Sequence, residues 1–168
     1  MGPGGTFLKR AMDQDIVIRQ FAPDDFSAVC ELEQGEKGSP YGAAVFIRQA
    51  AVLFGPMFLV AVCGRTVAGY VVGAIPQNSP EEGWVLRLRV ADRYRRRSLG
   101  TALLTSLFSA FSRTSVRRVL LTVDPENHPA RSLYRAWGFE ETGFFPGYFG
   151  PGEDRLLLSA ALPLRKNR

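Results

Sequence analysis

The stretch from Trp84 to Phe111 constrains the fold more than any other part of the chain. Trp84 to Val90 reads as a strand. Arg95-Arg96-Arg97-Ser98-Leu99-Gly100 is a basic turn of mostly small or cationic residues. Leu99, Ala102, Leu103, Leu107, Ala110 and Phe111 then recur at helical spacing, which predicts a buried amphipathic helix. A strand, a tight basic turn and a helix start in direct succession make an anion site. The first helical turn leaves backbone N–H groups without partners, and the helix dipole adds positive potential there. A phosphate or pyrophosphate is the ligand this arrangement suits.

The turn is not G-x-x-x-x-G-K-S/T, which excludes a Walker loop, nor G-x-G-x-x-G, which argues against a dinucleotide fold. A run such as R-Y-R-R-R can also be a solvated loop or a nucleic-acid patch. The chain carries a formal charge of +5, part of it in this run and part in the tail Arg165-Lys166-Asn167-Arg168. Such a surface attracts nucleic acid, anionic membranes or polyphosphates alike. The turn resembles the acyl-CoA-binding loop of the GNAT acetyltransferases, Gln/Arg-x-x-Gly-x-Gly/Ala. Arg95 and Gly100 match its first and last fixed positions. Ser98 stands where that family usually has Gly and is expected to fit if the site needs ordinary dihedrals.

The 168 residues suit one domain with a real core. The expected organisation is a leader or tag remnant over 1–15, one domain over 16–163 and a basic tail over 164–168. No apolar run is long enough to span a bilayer, and the N-terminus lacks a signal-peptide core. A cytoplasmic protein with free thiols at Cys30 and Cys63 is expected, and no metal site, because two cysteines and one histidine lack ligand spacing.

In chain order, Ile16 to Arg19 reads as a strand, and Asp24 as the cap of a helix carrying Phe26, Val29, Cys30 and Glu33. Gln34 to Pro40 reads as a loop and Ala43 to Phe54 as a second helix. Phe58 to Val62 and Val67 to Gly73 form a hairpin. After the Trp84–Phe111 unit come a strand over Arg117 to Val123 and a helix over Asn127 to Trp137. A strand then starts at Gly138, a loop runs from Gly143 to Gly152, and a last strand covers Leu156 to Leu162. This order, β-α-α-β-β-β-α-β-α-β-β, predicts one α+β or α/β domain around a central sheet.

Leu120 to Phe139 carries the second informative motif. It resembles the GNAT signature N-x-x-A-x-x-L/F-Y-x-x-x-G-F, with Asn127, Ala130, Leu133, Tyr134, Gly138 and Phe139 matching at every spacing. The resemblance covers nearly the whole chain from residue 16 onward and points to the ribosomal-protein and N-terminal alanine acetyltransferases. It implies a mostly antiparallel sheet of about seven strands flanked by about four helices, with acetyl-CoA as co-substrate. It further implies that Arg95, Arg96, Arg97, Ser98, Leu99, Gly100 and Thr101 hold the CoA pyrophosphate. It implies too that the strand before them splays from its neighbour and pairs with the pantetheine arm, which would place Leu88 to Ala91 beside the thioester with the Val90 backbone as the contact, and that Asn127 contacts the pantetheine or adenosine side of CoA. Tyr134 would protonate the leaving thiolate as general acid.

The resemblance places a strand-borne glutamate as base at Thr122, which cannot act as one. Glu81, Glu82, Asp124 and His128 remain candidates, with none assigned; a solvated histidine at a helix start is the simpler reading of His128. Gly143 to Leu158 resembles the Y-Y-x-x-x-x-E-D-A-x-x-M segment of protein N-terminal acetyltransferases. Tyr148-Phe149 replaces the Tyr pair, Glu153-Asp154 matches and Arg155 replaces Ala. Tyr148 is therefore a candidate acceptor contact; the alternative is a hairpin whose aromatics, Phe144, Phe145 and Phe149 among them, pack over the sheet. Arg87 and Arg89, two apart on one strand face, would favour an acidic acceptor if they line the cleft and would otherwise face solvent or pair with Glu81 and Glu82.

The expected activity is direct acetyl transfer to an amine, which could be a protein N-terminus, a lysine or a small molecule. A non-catalytic acyl-CoA sensor is the first alternative, and a basic nucleic-acid-binding module is the least favoured. The expected partners are acetyl-CoA and the acceptor, with no membrane, in a monomer or homodimer.

Overall fold

The computed structural model describes residues 16–34 and 38–164. The predicted leader, the basic residues 165–168 and part of the 34–40 loop lie outside them. Its elements in order are β1 (Ile16–Gln20), α1 (Phe26–Gln34), α2 (Pro40–Leu53), β2 (Phe58–Cys63), β3 (Thr66–Ala74) and β4 (Glu82–Val90). There follow α3 (Leu99–Ser112), β5 (Arg118–Val123), α4 (His128–Ala136), β6 (Glu140–Phe145) and β7 (Arg155–Ala161). The seven strands form one sheet in the order β1-β2-β3-β4-β5-β7-β6. The β4–β5 pair is parallel and every other neighbouring pair is antiparallel, so the expected mixed, mostly antiparallel α+β fold is the one observed.

The apolar runs of the central hairpin follow from burial on both faces. Phe58, Val60, Tyr70 and Val72 pack with Val29 of α1 and with Ile47 and Ala50 of α2. The alternate residues Leu59, Ala61 and Val71 pack on the other face with Leu103, Leu107 and Phe111 of α3 and with Tyr134 of α4. Period-two alternation thus divides two strands between two cores. Each side chain buried to completion, such as Leu103 or Phe111, contributes about 2 kcal/mol.

Several predicted boundaries are corrected. Asp24 does not cap the first helix. A short 3-10 turn, Pro23–Asp25, precedes α1, and the Asp25 carboxylate accepts from the Ala22 N–H at 2.8 Å while holding Arg19 at 2.7 Å. That guanidinium, and secondarily the Ala22 N–H, pull the Asp25 carboxyl below its ordinary range, against the opposing effect of burial. Helix α2 begins at Pro40, three residues before Ala43, because Ser39 caps it by accepting from the Gly42 N–H. Strand β6 starts at Glu140, after the left-handed Gly138 closes α4, and it runs to Phe145 through residues expected to be loop. No helix among the described residues is long and apolar enough to cross a membrane.

Candidate active site

Strands β4 and β5 pair over only part of their length. Hydrogen-bonded register runs from Glu82 opposite Arg118 to Val85 opposite Leu121 and then stops. β4 stays with β3 as far as Val90 opposite Gly69, and β5 stays with β7 as far as Val123 opposite Leu156. The two strands therefore diverge, as expected, and Leu86 to Val90 have no strand partner on the β5 side among the described residues. A cleft of about 300 Å³ fills the fork, with Leu88, Thr122, Asn127, Leu133 and Tyr134 among its lining residues. An extended, amide-containing molecule laid along β4 would meet backbone groups left without a ladder.

A second hollow continues from it past the shared residues Ala130 and Leu133. Val90, Arg95, Arg96, Ser98, Leu99, Gly100 and Thr101 line it, which brings the predicted anion loop to the mouth of the fork. Arg97 does not line it; its guanidinium lies 5.7 Å from the Tyr94 ring centroid. Arg95 is held by Asp92 at 2.9 Å. Ser98 is the N-cap of α3 but makes no side-chain cap, so the first-turn N–H groups keep their donors free of that contact. The site does not use ordinary dihedrals at Ser98, the condition under which a serine was expected to fit. Its φ of 59° lies in the left-handed region, as does the φ of 61° at Arg96. The tight reversal into α3 demands that conformation at a position where the related loops carry glycine.

Tyr134 lies where the fork opens, 8% exposed, with its ring edge-on to Phe139. Its hydroxyl has no hydrogen-bond partner among the described residues. Burial pushes its pKa up to about 12, so the phenol keeps its proton across the working pH range. Asn127 caps α4, its Oδ1 accepting from the Ala130 N–H at 3.1 Å; its amide N–H₂ remains for a ligand.

Over residues 26–139 the sequence matches the model of the acetyltransferase (GNAT) family. The chain belongs to the GNAT acetyltransferase family. It is similar over 152 residues, at 28% identity, to an uncharacterized N-acetyltransferase of Methanocaldococcus jannaschii, a match spanning 90% of this chain and 95% of the relative. It is 25% identical over 159 residues to an N-alpha-acetyltransferase of Saccharolobus solfataricus, spanning 89% and 95%. Among solved structures, Ard1 of Thermoplasma volcanium superposes with a TM-score of 0.79 at 26% identity over 87% of this chain and 97% of that one. This GNAT protein is thus an acetyl-CoA-dependent N-acetyltransferase.

The other predicted residues of the acetyltransferase fall into two groups. Of the four base candidates, Asp124 alone lines the cleft; it is exposed, and its Oδ1 accepts from the Glu126 N–H. Glu82 is bound to Arg118 where β4 begins, Glu81 lies at that same end, and the His128 side chain is 72% exposed beside Glu126. Tyr148 sits on the β6–β7 connection outside the cleft, stacked on Phe145 at 5.2 Å and edge-on to Phe149 at 4.8 Å. Among the described residues no group of His, Cys, Asp and Glu is arranged to hold a metal ion.

Arg87 and Arg89 do line the cleft, but their partner is neither Glu81 nor Glu82. Glu33 of α1, its side chain 8% exposed, accepts from Arg87 Nε at 2.8 Å and lies 3.7 Å from Arg89 Nε. The buried Tyr70 hydroxyl donates to the same carboxylate. Burial, then this carboxylate, raise the Tyr70 pKa far above its ordinary value. Sequence reasoning placed Glu33 on the helix but gave it no role. The readable signal was a carboxylate on the apolar face with Phe26, Val29 and Cys30, where an unpaired charge is not tolerated. Arg155 was missed too, and it lines the cleft together with Tyr134.

Proposed function

We propose that this acetyltransferase acts in the cytoplasm on the α-amino group of protein N-termini, by direct transfer from acetyl-CoA. The observation that carries the reading is the fork itself: a strand edge without a β5 partner, leading from an anion loop to a buried tyrosine whose hydroxyl has no hydrogen-bond partner among the described residues. The likeness to an N-alpha-acetyltransferase over 95% of that relative's length supports the choice of acceptor.

Pyrophosphate would rest on the first turn of α3, with Arg95 and Arg96 adding charge, and Leu88 and Val90 would flank pantetheine. The acceptor amine attacks the thioester carbonyl; a C–N bond forms, the C–S bond breaks, and the amine loses one proton while sulfur gains one. Tyr134 donates to the sulfur as negative charge builds there. An acid of pKa about 12 shares its proton with a developing thiolate instead of losing it beforehand. Neither cysteine lines the cleft: Cys63 is buried in β2, and burial raises the Cys30 thiol pKa. A covalent acetyl-enzyme therefore has no cysteine nucleophile at hand. Thr122 leaves the acceptor's proton to water or to Asp124.

The test is thiol release from acetyl-CoA against peptide N-termini, lysine side chains and small amines. Turnover is expected on peptide N-termini. Tyr134→Phe should lower kcat about 100-fold while leaving acetyl-CoA affinity within about twofold, since its role is proton donation. Acetyl-CoA binding without turnover on any amine would instead favour the sensor reading.

A further inference from the structure

The cleft that holds Tyr134 is lined by three guanidiniums, Arg87, Arg89 and Arg155, and by a single carboxylate, Asp124. Arg155 enters from β7, and its side chain is only 18% exposed. Its Nη1 donates to the Asp154 carbonyl at 2.6 Å and its Nη2 to Glu153 at 2.9 Å, while its guanidinium lies 4.9 Å from the Phe149 ring centroid. Those contacts fix the group against the cleft wall and leave Nε without a hydrogen-bond partner among the described residues. On the other wall Glu33 takes only the Nε of Arg87, and it pairs with Arg89 at a distance too long for a hydrogen bond. The terminal nitrogens of both arginines have no hydrogen-bond partner among the described residues, and the Arg87 guanidinium lies 5.3 Å from the Phe46 ring centroid. Five-donor guanidiniums left in this state are receptors for carboxylate oxygens.

We infer that Arg155, with Arg87 and Arg89 facing it, makes the enzyme selective for N-termini that carry an aspartate or glutamate beside the reacting amine. The inference rests on the reading of the acceptor as a protein N-terminus. A carboxylate at the first or second residue would reach donors on either wall, whereas a lysine or arginine there would meet like charge in a partly desolvated cleft. Glu33 is a positioning residue in this scheme: it fixes the stems of the two β4 arginines without using their terminal donors.

The experiment compares three peptides that differ only at the second residue, Glu, Gln or Lys, behind an N-terminal Ala. At low ionic strength kcat/KM should fall in the order Glu, Gln, Lys by about tenfold per step, the effect of one charge-assisted hydrogen bond. The spread should shrink toward unity near about 0.5 M salt. Arg155→Ala should bring the Glu/Gln ratio close to one, and Arg155→Glu should turn the preference toward Lys. A purely structural role for Arg155 would lower all three rates together and leave their ratio unchanged. Arg89→Gln should narrow the ratio independently, so misfolding of one variant does not protect the inference. Equal wild-type rates on the three peptides, or a ratio unmoved in both Arg155→Ala and Arg89→Gln, would overturn the selectivity alone. Absence of turnover on every peptide would overturn the N-terminal reading and the selectivity with it.

Discussion

Ser98 holds a left-handed conformation, with φ of 59° and ψ of 16°, that costs an L-residue about 1 kcal/mol or more. No side-chain cap offsets that cost, and Arg96 two residues earlier stands in the same region of dihedral space. Ser98→Gly should therefore stabilise the protein by about 1 kcal/mol, read as a rise in Tm of several degrees for a domain of this size. The loop geometry is retained, so acetyl-CoA affinity should stay the same or improve; a fall in Tm would show that the serine hydroxyl matters in a way the backbone does not reveal. The identity of the residue was readable from the sequence, but its dihedrals were not. They are set by how sharply the chain must turn from the end of β4 into α3, a property of two packed elements and not of one residue.

At the scale of elements, side chains of α3 press against glycines of the sheet, which leave room for them. A Cβ built on Gly73 of β3 would stand 2.7 Å from Leu107 and 2.8 Å from Phe111, both side chains of α3 and both fully buried. Gly83 of β4 faces the Phe111 ring at 3.0 Å in the same way. Gly73→Ala should cost about 1–3 kcal/mol in denaturant unfolding, the price of overpacking a well-filled core. A Phe111→Leu change in the same chain should recover part of it. The existence of α3, α4 and the β2–β3 hairpin was legible, because each announces its period over several turns or alternations. Ends were less so. Ser39-Pro40 was read as part of a loop although Ser before Pro is a helix start, and Gly143 looked like a break although β6 accommodates it at a register shift. Pairings between distant elements were invisible. Nothing local to Glu33 names Arg87, Arg89 or Tyr70, and Arg155 enters the cleft only because β7 inserts between β5 and β6.

For the whole molecule, the sheet is two partly joined halves. β1 to β4 carry the helices α1 and α2 on one face, β5 to β7 complete the other end, and only the first part of β4 ties them through β5. The beginning of the fork was legible from the family motif; its extent depends on where pairing stops, at Val85 and Leu121. Amide hydrogen exchange should locate the weakness. Amides over Leu86 to Val90 that β3 does not protect should exchange fast in the free protein and slow by at least tenfold at saturating acetyl-CoA, if pantetheine completes the ladder. Unchanged exchange there would place the donor elsewhere. The fork also has a meaning for the protein's lifetime. An interior edge without a partner is an invitation to local opening and to pairing with other chains. A ligand held at about one hundred times its Kd adds about 2.7 kcal/mol to the folded state. Resistance to proteases and to aggregation should then rise and fall with the supply of acetyl-CoA, so that the abundance of the enzyme follows the metabolite it consumes.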